Sequence, residues 1–369
     1  MRRILIVITT GFDVTGGLTT VMMNYYRNID KSQLQIDFAS TNEAPKVLTN
    51  ELAMNGSRYF CLNTRKYVPL YFVKLYRICK NYDVVHVNAN SATAAIELCA
   101  AKMAGVKMRI AHNHTTKTEH PILHRVLLPV FRRSYTIGLA CSEDAGNWLF
   151  GKGKFHVLKN AIDVEKYRYI SASRGRLRDE FQIPQNAFVI GHVGKYNTPK
   201  NHFKLLEVFA EYHKHHEGAF LLCVGYGPLK EQIEKRIVEL GIKKNVILTG
   251  ERTDIPELLS IMDIFVFTSK WEGLGLAVIE AQASGLPCLL SDRVPKDVYL
   301  SDRVKSLPLE VSSVKWAEKV DELSAINRSE QCIMNAESIS VGGYNIKKEA
   351  HILRSLYLSD TIVPNKSIE

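Results

Sequence analysis

The chain reads as short apolar runs separated by longer stretches with helical spacing. "RILIVIT" (3–9), "IDFAS" (36–40), "DVVHVN" (83–88) and "RIAHNH" (109–114) are rich in β-favouring residues and too short for buried helices, so they are expected strands. Between them, "TGGLTTVMMNYYRNI" (15–29) is a helix opened by a glycine turn, and "SATAAIELCAAKMAG" (91–105) is a helix closed by glycine. The second half repeats the alternation. "AFVIGHVGK" (187–195), "AFLLCVG" (219–225), "VILTG" (246–250) and "DIFVFTS" (263–269) are expected strands, with helices at 201–216, 228–240 and 254–262. A last helix, "NIKKEAHILRSLYL" (345–358), precedes a loose tail, "SDTIVPNKSIE".

Strand–helix alternation of this kind predicts parallel sheets covered on both faces. "DVEKYRYISASRGRLRDEF" (163–181) breaks the pattern, which places a domain division there. The expected architecture is α/β: two Rossmann-like, doubly wound domains, residues 1–168 and 169–344, facing a central crevice. The segment 345–369 packs back on the first domain. Ligands of such sheets bind beyond the carboxyl ends of the strands, so the loops at those ends hold the candidate chemistry.

Composition narrows the class. With 369 residues, 46% of them hydrophobic and 23% charged, the chain has the make-up of a soluble two-domain protein. No apolar run approaches the ~18 residues of a membrane span. The short apolar stretch of "MRRILIVITT" reads as a first strand rather than a leader peptide. Seven cysteines, odd in number and without C-x-x-C spacing, suit reduced thiols in a cytoplasmic protein. The net charge of +10 is uneven: residues 1–169 hold 23 Lys/Arg against 12 Asp/Glu, and the remainder 25 against 26. The first half is therefore expected to meet something anionic. No nucleic-acid-binding module accompanies the charge, which leaves an acidic membrane surface as the favoured partner.

The most informative stretch is "WEGLGLAVIEAQASGLPCLLSD" (271–292). It follows an apolar strand, turns on Gly273 and Gly275, forms a helix over 276–284, and ends on Gly285 and Pro287. Glu272 stands in the loop and Glu280 on the second helical turn. A glycosidase pair needs carboxylates roughly 5–9.5 Å apart, and eight partly helical residues separate these two more widely. Between them lies a helix N-terminus, whose free amides and dipole favour phosphate. Carboxylate, anion site, carboxylate is also the order of sugar hydroxyls, diphosphate and ribose hydroxyls in a sugar nucleotide.

Other loops add candidates. In "TGGLT" (15–19), Gly16 and Gly17 let backbone approach a diphosphate, although a structural turn explains them as well. "GHVGKYNTPKNH" (191–202) supplies Lys195 and Lys200, two ammonium groups able to neutralise a departing diphosphate. "VGYGPL" (224–229) and "TGERTDI" (249–255) offer Gly225 and Arg252 at the same crevice edge, where backbone contacts could hold a nucleobase, although simple strand-to-helix connection is the stronger reading of each loop. His86, His112 and His114 fall at strand ends, with His112 preferred as the functional one and His114 its rival. The histidines lack a complementary Cys or carboxylate set, and no D-x-D occurs, so neither a metal nor any other cofactor is expected. There is no G-x-S-x-G and no G-x-x-x-x-G-K-[ST].

Together "GGLTT", "RIAHNH", "ACSEDAGNWLFGKGKFHVLKNAID", "GHVGKYNTPKNH", "VGYGPLKEQI", "TGERTDIPELLSIMDIFVFTS" and "EGLGLAVIE" with "AQASGLP" resemble the family 4 retaining glycosyltransferases of the GT-B fold. The likeness is to the branch that builds bacterial exopolysaccharides and capsules, and it runs in order along nearly the whole chain. It implies that Glu272 contacts the donor sugar, Glu280 the ribose, and backbone at Gly17, Gly275 and Leu276 the diphosphate. Lys195 and Lys200 match the family's basic pair and His112 its active-site histidine. The resemblance further implies retention without metal, a UDP-sugar donor and a lipid-linked glycan acceptor at the cytoplasmic membrane face. Three places depart from the family: lysine at 195 where arginine is usual, "KNAID" (159–163) for a proline–asparagine–glycine turn, and "FTS" for proline–serine. A UDP-sugar 2-epimerase of the same fold, or a non-catalytic nucleotide-sugar binder in an assembly complex, are the competing readings. Two segments without any Asp or Glu, 67–82 and 120–135, are the expected membrane-facing helices, the second carrying Arg125, Arg132 and Arg133.

Overall fold

The computed structural model describes residues 1–14, 16–63, 67–323 and 328–359. Thr15, at the head of the expected first helix, and the expected tail from residue 360 onward lie outside the described residues. The chain divides into two compact units, one of Met1–Ala161 with Gly343–Glu369, the other of Ile162–Gly342.

The first unit is built on seven parallel strands: β1 (Arg2–Ile8), β2 (Leu34–Ser40), β3 (Tyr59–Cys61), β4 (Val84–Ala89), β5 (Met108–Asn113), β6 (Ile137–Ala140) and β7 (His156–Val157). Their order is β3-β2-β1-β4-β5-β6-β7. The central strands β1 and β4 are buried on both faces, which is why they read as unbroken apolar runs. One face carries a core of Leu5, Val85, Val87, Leu98 and Phe131 under the helices Val68–Cys79, Ala95–Met103 and Pro121–Arg132. Helix Gly17–Asn28 packs against the C-terminal helix Ile346–Leu358, whose Tyr357 is fully buried.

The second unit has six parallel strands: β8 (Val189–Val193), β9 (Phe220–Val224), β10 (Val246–Leu248), β11 (Ile264–Phe267), β12 (Cys288–Ser291) and β13 (Val304–Leu307), ordered β10-β9-β8-β11-β12-β13. In each unit the strand order reverses once, at β1/β4 and at β8/β11. Loops leaving such a pair diverge to opposite faces and open a cleft at the carboxyl edge of the sheet. The segments 9–14, 194–201 and 268–275 all leave strands at these points.

The stretch 163–181, expected to break the pattern, contains a helix, Ser171–Glu180. Its polarity hides its burial: Arg178 is wholly inside, bonded to Asp263 at 2.9 Å and to the carbonyls of Gln185, Ala187 and Ile261 at 2.8–2.9 Å. Asp263 also takes Arg174 at 2.6 Å and the Val189 amide at 2.8 Å. One carboxylate thus ties this helix to the starts of β8 and β11, satisfying charges whose unpaired burial would be costly.

Candidate functional site

In the second unit the site grows from two loops fastened to each other. After β8 the chain turns through Asn197, whose side chain accepts from the Lys200 amide and caps a short turn over 198–200. Asn201 follows in the left-handed region, at φ 54°. The loop after β11 holds this turn in place. Lys270 N–H donates to the Pro199 carbonyl at 2.7 Å, and Thr268 Oγ1 donates to the Asn201 carbonyl at 3.1 Å. Lys200 is thereby aimed across the gap, where its Nζ meets Glu272 Oε1 at 2.7 Å and lies 4.6 Å from the Phe267 ring centre. Both side chains are mostly shielded, at 19% and 10% exposure, which spares the pair much of the solvent screening of a surface ion pair. Lys195, on the same loop, is exposed and has no side-chain partner among the described residues.

Gly275 then ends the second loop at φ 94°, a conformation that any side chain would strain. This lets helix Leu276–Ala283 start abruptly, with no side chain capping its first turn. The amides at that end are left to whatever approaches them. Glu280, one turn further on, is buried and accepts from the Tyr167 hydroxyl at 2.8 Å. Burial raises its pKa; the Tyr167 hydrogen bond, Lys166 and Lys200 pull the other way. Lys200 therefore acts on both carboxylates, paired to Glu272 and felt by Glu280. Tyr167 escaped the sequence reading because it lies in the polar stretch taken as a boundary.

Two other expected donor contacts sit differently. Gly225 donates its amide to the Gly250 carbonyl at 3.0 Å, and a Cβ there would meet the Gly194 carbonyl at 2.1 Å. Its absent side chain is needed for loop packing, whatever ligand binds. Arg252 has its fork engaged by Asp254 at 2.6 and 2.8 Å, with Glu180 at 3.6 Å and the Phe181 ring beneath.

In the first unit the candidate residues form a neutral cluster. Strand pairing sets Asn88 beside His112 and His86 beside Ile110, so His86, Asn88 and His112 share one face by the two-residue period of a strand. Tyr357 hydroxyl lies 2.6 Å from His86 Nδ1, and His86 Nε2 lies 3.2 Å from His112 Nδ1. The ring of His112 sits 4.0 Å from that of His114. His114 in turn reaches Asn88 at 3.0 Å and Asn160 at 3.2 Å, and only His114 of the three is partly exposed. Burial lowers all three pKa values, to about 3 for His86 and about 4 for His114, and well below the ordinary value for His112, where both neighbouring imidazoles add to the effect. A neutral His114 cannot donate from both nitrogens, so one of the two amides must turn its NH2 toward it. His112, at 1% exposure, lies between the other two rings with its Nε2 buried and without a hydrogen-bond partner among the described residues, and His114 is the partly exposed member. Gly16 caps helix Gly17–Asn28 without a side chain, and a Cβ on Gly17 would meet nothing within 4 Å. The fold itself does not require glycine there. Among the described residues no three His, Cys, Asp or Glu side chains are grouped so as to hold a metal ion.

Residues 173–338 match the family described as "Glycosyl transferases group 1". The chain is 34% identical over 363 residues to EpsF of Bacillus subtilis, which bears a glycosyltransferase name, with 93% of each chain covered. It is 26% identical over 377 residues, 95% of each chain, to the UDP-Gal:alpha-D-GlcNAc-diphosphoundecaprenol alpha-1,3-galactosyltransferase of Escherichia coli. Among solved structures, the Anabaena protein HepE in complex with UDP and glucose superposes with a TM-score of 0.77 at 17% identity, covering 96% of this chain and 99% of that one. A glycosyltransferase of Rickettsia africae gives 0.80 at 16% identity, covering 98% and 99%. Both likenesses place the fold in the GT-B class.

Proposed function

The chain belongs to the group 1 glycosyltransferases, and from that premise we propose that it transfers a sugar from a UDP donor to a lipid-linked glycan, with retained anomeric configuration and without metal. The transfer serves bacterial exopolysaccharide or capsule assembly, on the inner face of the plasma membrane. The observation that carries this reading is the Lys200–Glu272 pair beside an uncapped helix start, with Glu280 buried one turn into that helix. Glu280 takes the ribose hydroxyls. The amides at Gly275 and Leu276 face the diphosphate, with Gly17 as a second backbone contact. Glu272 binds hydroxyls of the donor sugar, and Lys195 and Lys200 stabilise the negative charge that grows as the diphosphate leaves. The acceptor hydroxyl attacks from the face the diphosphate departs, and a phosphate oxygen takes its proton. No protein group need become a strong base, in keeping with a histidine cluster that stays neutral. Of that cluster, His114, the partly exposed member, bonds a substrate hydroxyl, with His112 behind it. Gly225 and Arg252 contribute by shaping the loops around the nucleotide. The E. coli relative named for a UDP-sugar and a diphosphoundecaprenol acceptor, and the UDP and glucose in HepE, support the donor and acceptor classes.

Incubation of the protein with labelled UDP-sugars and a bacterial membrane extract tests this. Label should move into the lipid fraction and survive EDTA. An epimerised nucleotide sugar with no lipid product would convert the reading to an epimerase. Loss of transfer on chelation, restored by magnesium or manganese, would refute the metal-free mechanism.

A further inference from the structure

The hydrogen bonds of the buried cluster in the first unit have a direction, and it starts on the last helix. Ile346–Leu358 is pinned to that unit near its C-terminal end. Arg354 Nε donates to the Asp30 carbonyl at 3.1 Å, its guanidinium pairs with the Asp30 carboxylate, and Arg2 reaches the Leu358 carbonyl at 3.2 Å. Tyr357 is thereby held wholly inside, with its hydroxyl 2.6 Å from Nδ1 of the equally buried His86. That hydroxyl has no other partner among the described residues. The neighbouring Tyr25 is already engaged, donating to the Lys159 carbonyl at 2.5 Å. His86 Nε2 meets His112 Nδ1 at 3.2 Å, and His112 Nε2 is buried with no partner among the described residues.

Burial keeps both imidazoles neutral, so each ring carries a single proton, on either nitrogen. With protons on Nε2 of both rings, Tyr357 donates to His86 and His86 donates to His112. A single group, the His112 Nε2–H, is then unpaired. With protons on Nδ1 of both rings the bonds reverse, and the Tyr357 O–H and the His112 Nε2 lone pair both go unpaired. The mixed placements set N–H against N–H, or lone pair against lone pair, between the two rings. Each unpaired buried group carries a desolvation penalty, so the first placement is favoured. The Leu158 carbonyl beside His112 opposes the lowering of its pKa, as an acceptor near a ring N–H does.

We propose that Tyr357 is a positioning residue: its hydroxyl donates to His86 and, through that ring, fixes His112 as the Nε2–H tautomer. His112 then offers a donor, never an acceptor, to whatever reaches its Nε2. The ring of His114 lies 4.0 Å from that of His112, so the same chain also fixes the dipole on which His114 rests. A side chain 271 positions from His86 in sequence thus sets the polarity of the cluster. Its part in turnover rests on the reading that this cluster meets the sugar. The tautomers themselves follow from the hydrogen bonds and stand apart from the transfer chemistry.

Imidazole nitrogen NMR of the full chain with labelled histidine tests it, with His86 and His112 assigned from His86→Phe and His112→Gln. At mildly alkaline pH both rings should be Nε2–H tautomers in the wild type. Tyr357→Phe removes the hydroxyl and leaves either direction of the chain with two unpaired groups, so Nδ1–H forms should appear on both rings. Turnover with the UDP-sugar found by label transfer should fall about two- to fivefold, as the competent form becomes a fraction of the whole. UDP affinity by calorimetry should stay unchanged. In a His86→Phe background, which cuts the chain, Tyr357→Phe should cost no further turnover. Losses that multiply instead would make Tyr357 a structural support and overturn the proposal. A proton on His112 Nδ1 in the wild type overturns it without recourse to any kinetic variant. So does a Tyr357→Phe protein whose tautomers do not move, or whose turnover matches the wild type. If the tautomers behave as expected but no UDP-sugar is used, the hydrogen-bond chain stands and the transfer reading fails.

Discussion

The two units put opposite electrostatics at the same position of the same sheet topology. At the β8/β11 reversal the shielded candidates are charged: Lys200 is paired with Glu272 and opposes the rise that burial imposes on the pKa of Glu280. At the β1/β4 reversal and its neighbour β5 they are neutral and stacked: Tyr357, His86, His112 and His114 in sequence, with burial holding every imidazole unprotonated. The difference follows from what each half is proposed to meet. Charge that changes during reaction, on a leaving diphosphate, calls for fixed opposite charge in a shielded place. A sugar hydroxyl keeps no net charge and is best held by neutral donors and acceptors of fixed direction, since a cation there would add desolvation cost without a matching gain.

The largest test of this contrast is the shielded pair. Glu272→Gln keeps the shape of the side chain and removes its charge, leaving Lys200 without a counter-ion. Turnover should fall on the order of 10²–10³-fold, as for loss of one preorganised charge contact in a transition state. UDP affinity should change by only a few-fold, because UDP lacks the sugar. Steady-state kinetics with the donor found by label transfer, alongside UDP calorimetry, read the two effects separately. A loss of UDP affinity as large as the loss of turnover would contradict the assignment of Glu272 to the sugar.

How much of this was readable beforehand depends on how burial writes itself into sequence. Strands β1, β4, β8, β9 and β11 are buried on both faces and announce themselves as apolar runs. Strands β3, β6, β7 and β13 did not: they are two to four residues long, lie at or next to sheet edges, and in β13 expose Lys305 and Ser306. The helix Ser171–Glu180 was hidden for another reason. Its deepest residue is Arg178, whose charge is balanced by Asp263, 85 positions away, and no local pattern reports a distant counter-ion. The loop carboxylates and lysines were legible because their glycines and strand ends mark the position. Tyr167 and Tyr357 were not, since each serves the site through one hydroxyl contact that only the fold creates. The histidines were visible as a cluster but not their order: only the fold shows His112 stacked between His86 and His114.

A smaller effect is expected from Glu280→Ala. The carboxylate is buried, accepts from Tyr167, and is proposed to take two ribose hydroxyls, so its removal deletes hydrogen bonds to a charged group worth about 1.5–3 kcal/mol. UDP should bind roughly 10–100-fold more weakly. The pKa of Glu280 is raised, so acidification toward its titration should weaken UDP binding more in the wild type than in the Ala variant, where only the phosphate of UDP itself still titrates. Calorimetry with UDP at several pH values checks both. Parallel pH profiles in the two proteins would place the sensitive group elsewhere.

The smallest effect separates the neutral cluster from the charged one by acid. His86 and His114 have folded pKa values near 3 and 4, whereas a histidine in the unfolded chain titrates near ~6.5. As pH falls below ~6.5 the unfolded chain gains protons that the native chain refuses, so stability declines with falling pH, by up to about 1.4 kcal/mol per pH unit for each such histidine. The decline attributable to His114 ends near pH 4, where the native imidazole also takes a proton. The His114 pKa is lowered by burial and raised in part by the Asn160 hydrogen bond. The buried pair His192 and His202 adds to the same slope from the second unit. His114→Asn should therefore reduce the slope of unfolding free energy between pH 6.5 and 5 by about one proton's worth, whatever it does to stability at pH 8. Urea unfolding across that range measures the slope directly. A slope identical to the wild type would mean that His114 takes up its proton as readily in the native protein as in the unfolded chain, and that the cluster of the first unit is not held neutral by burial.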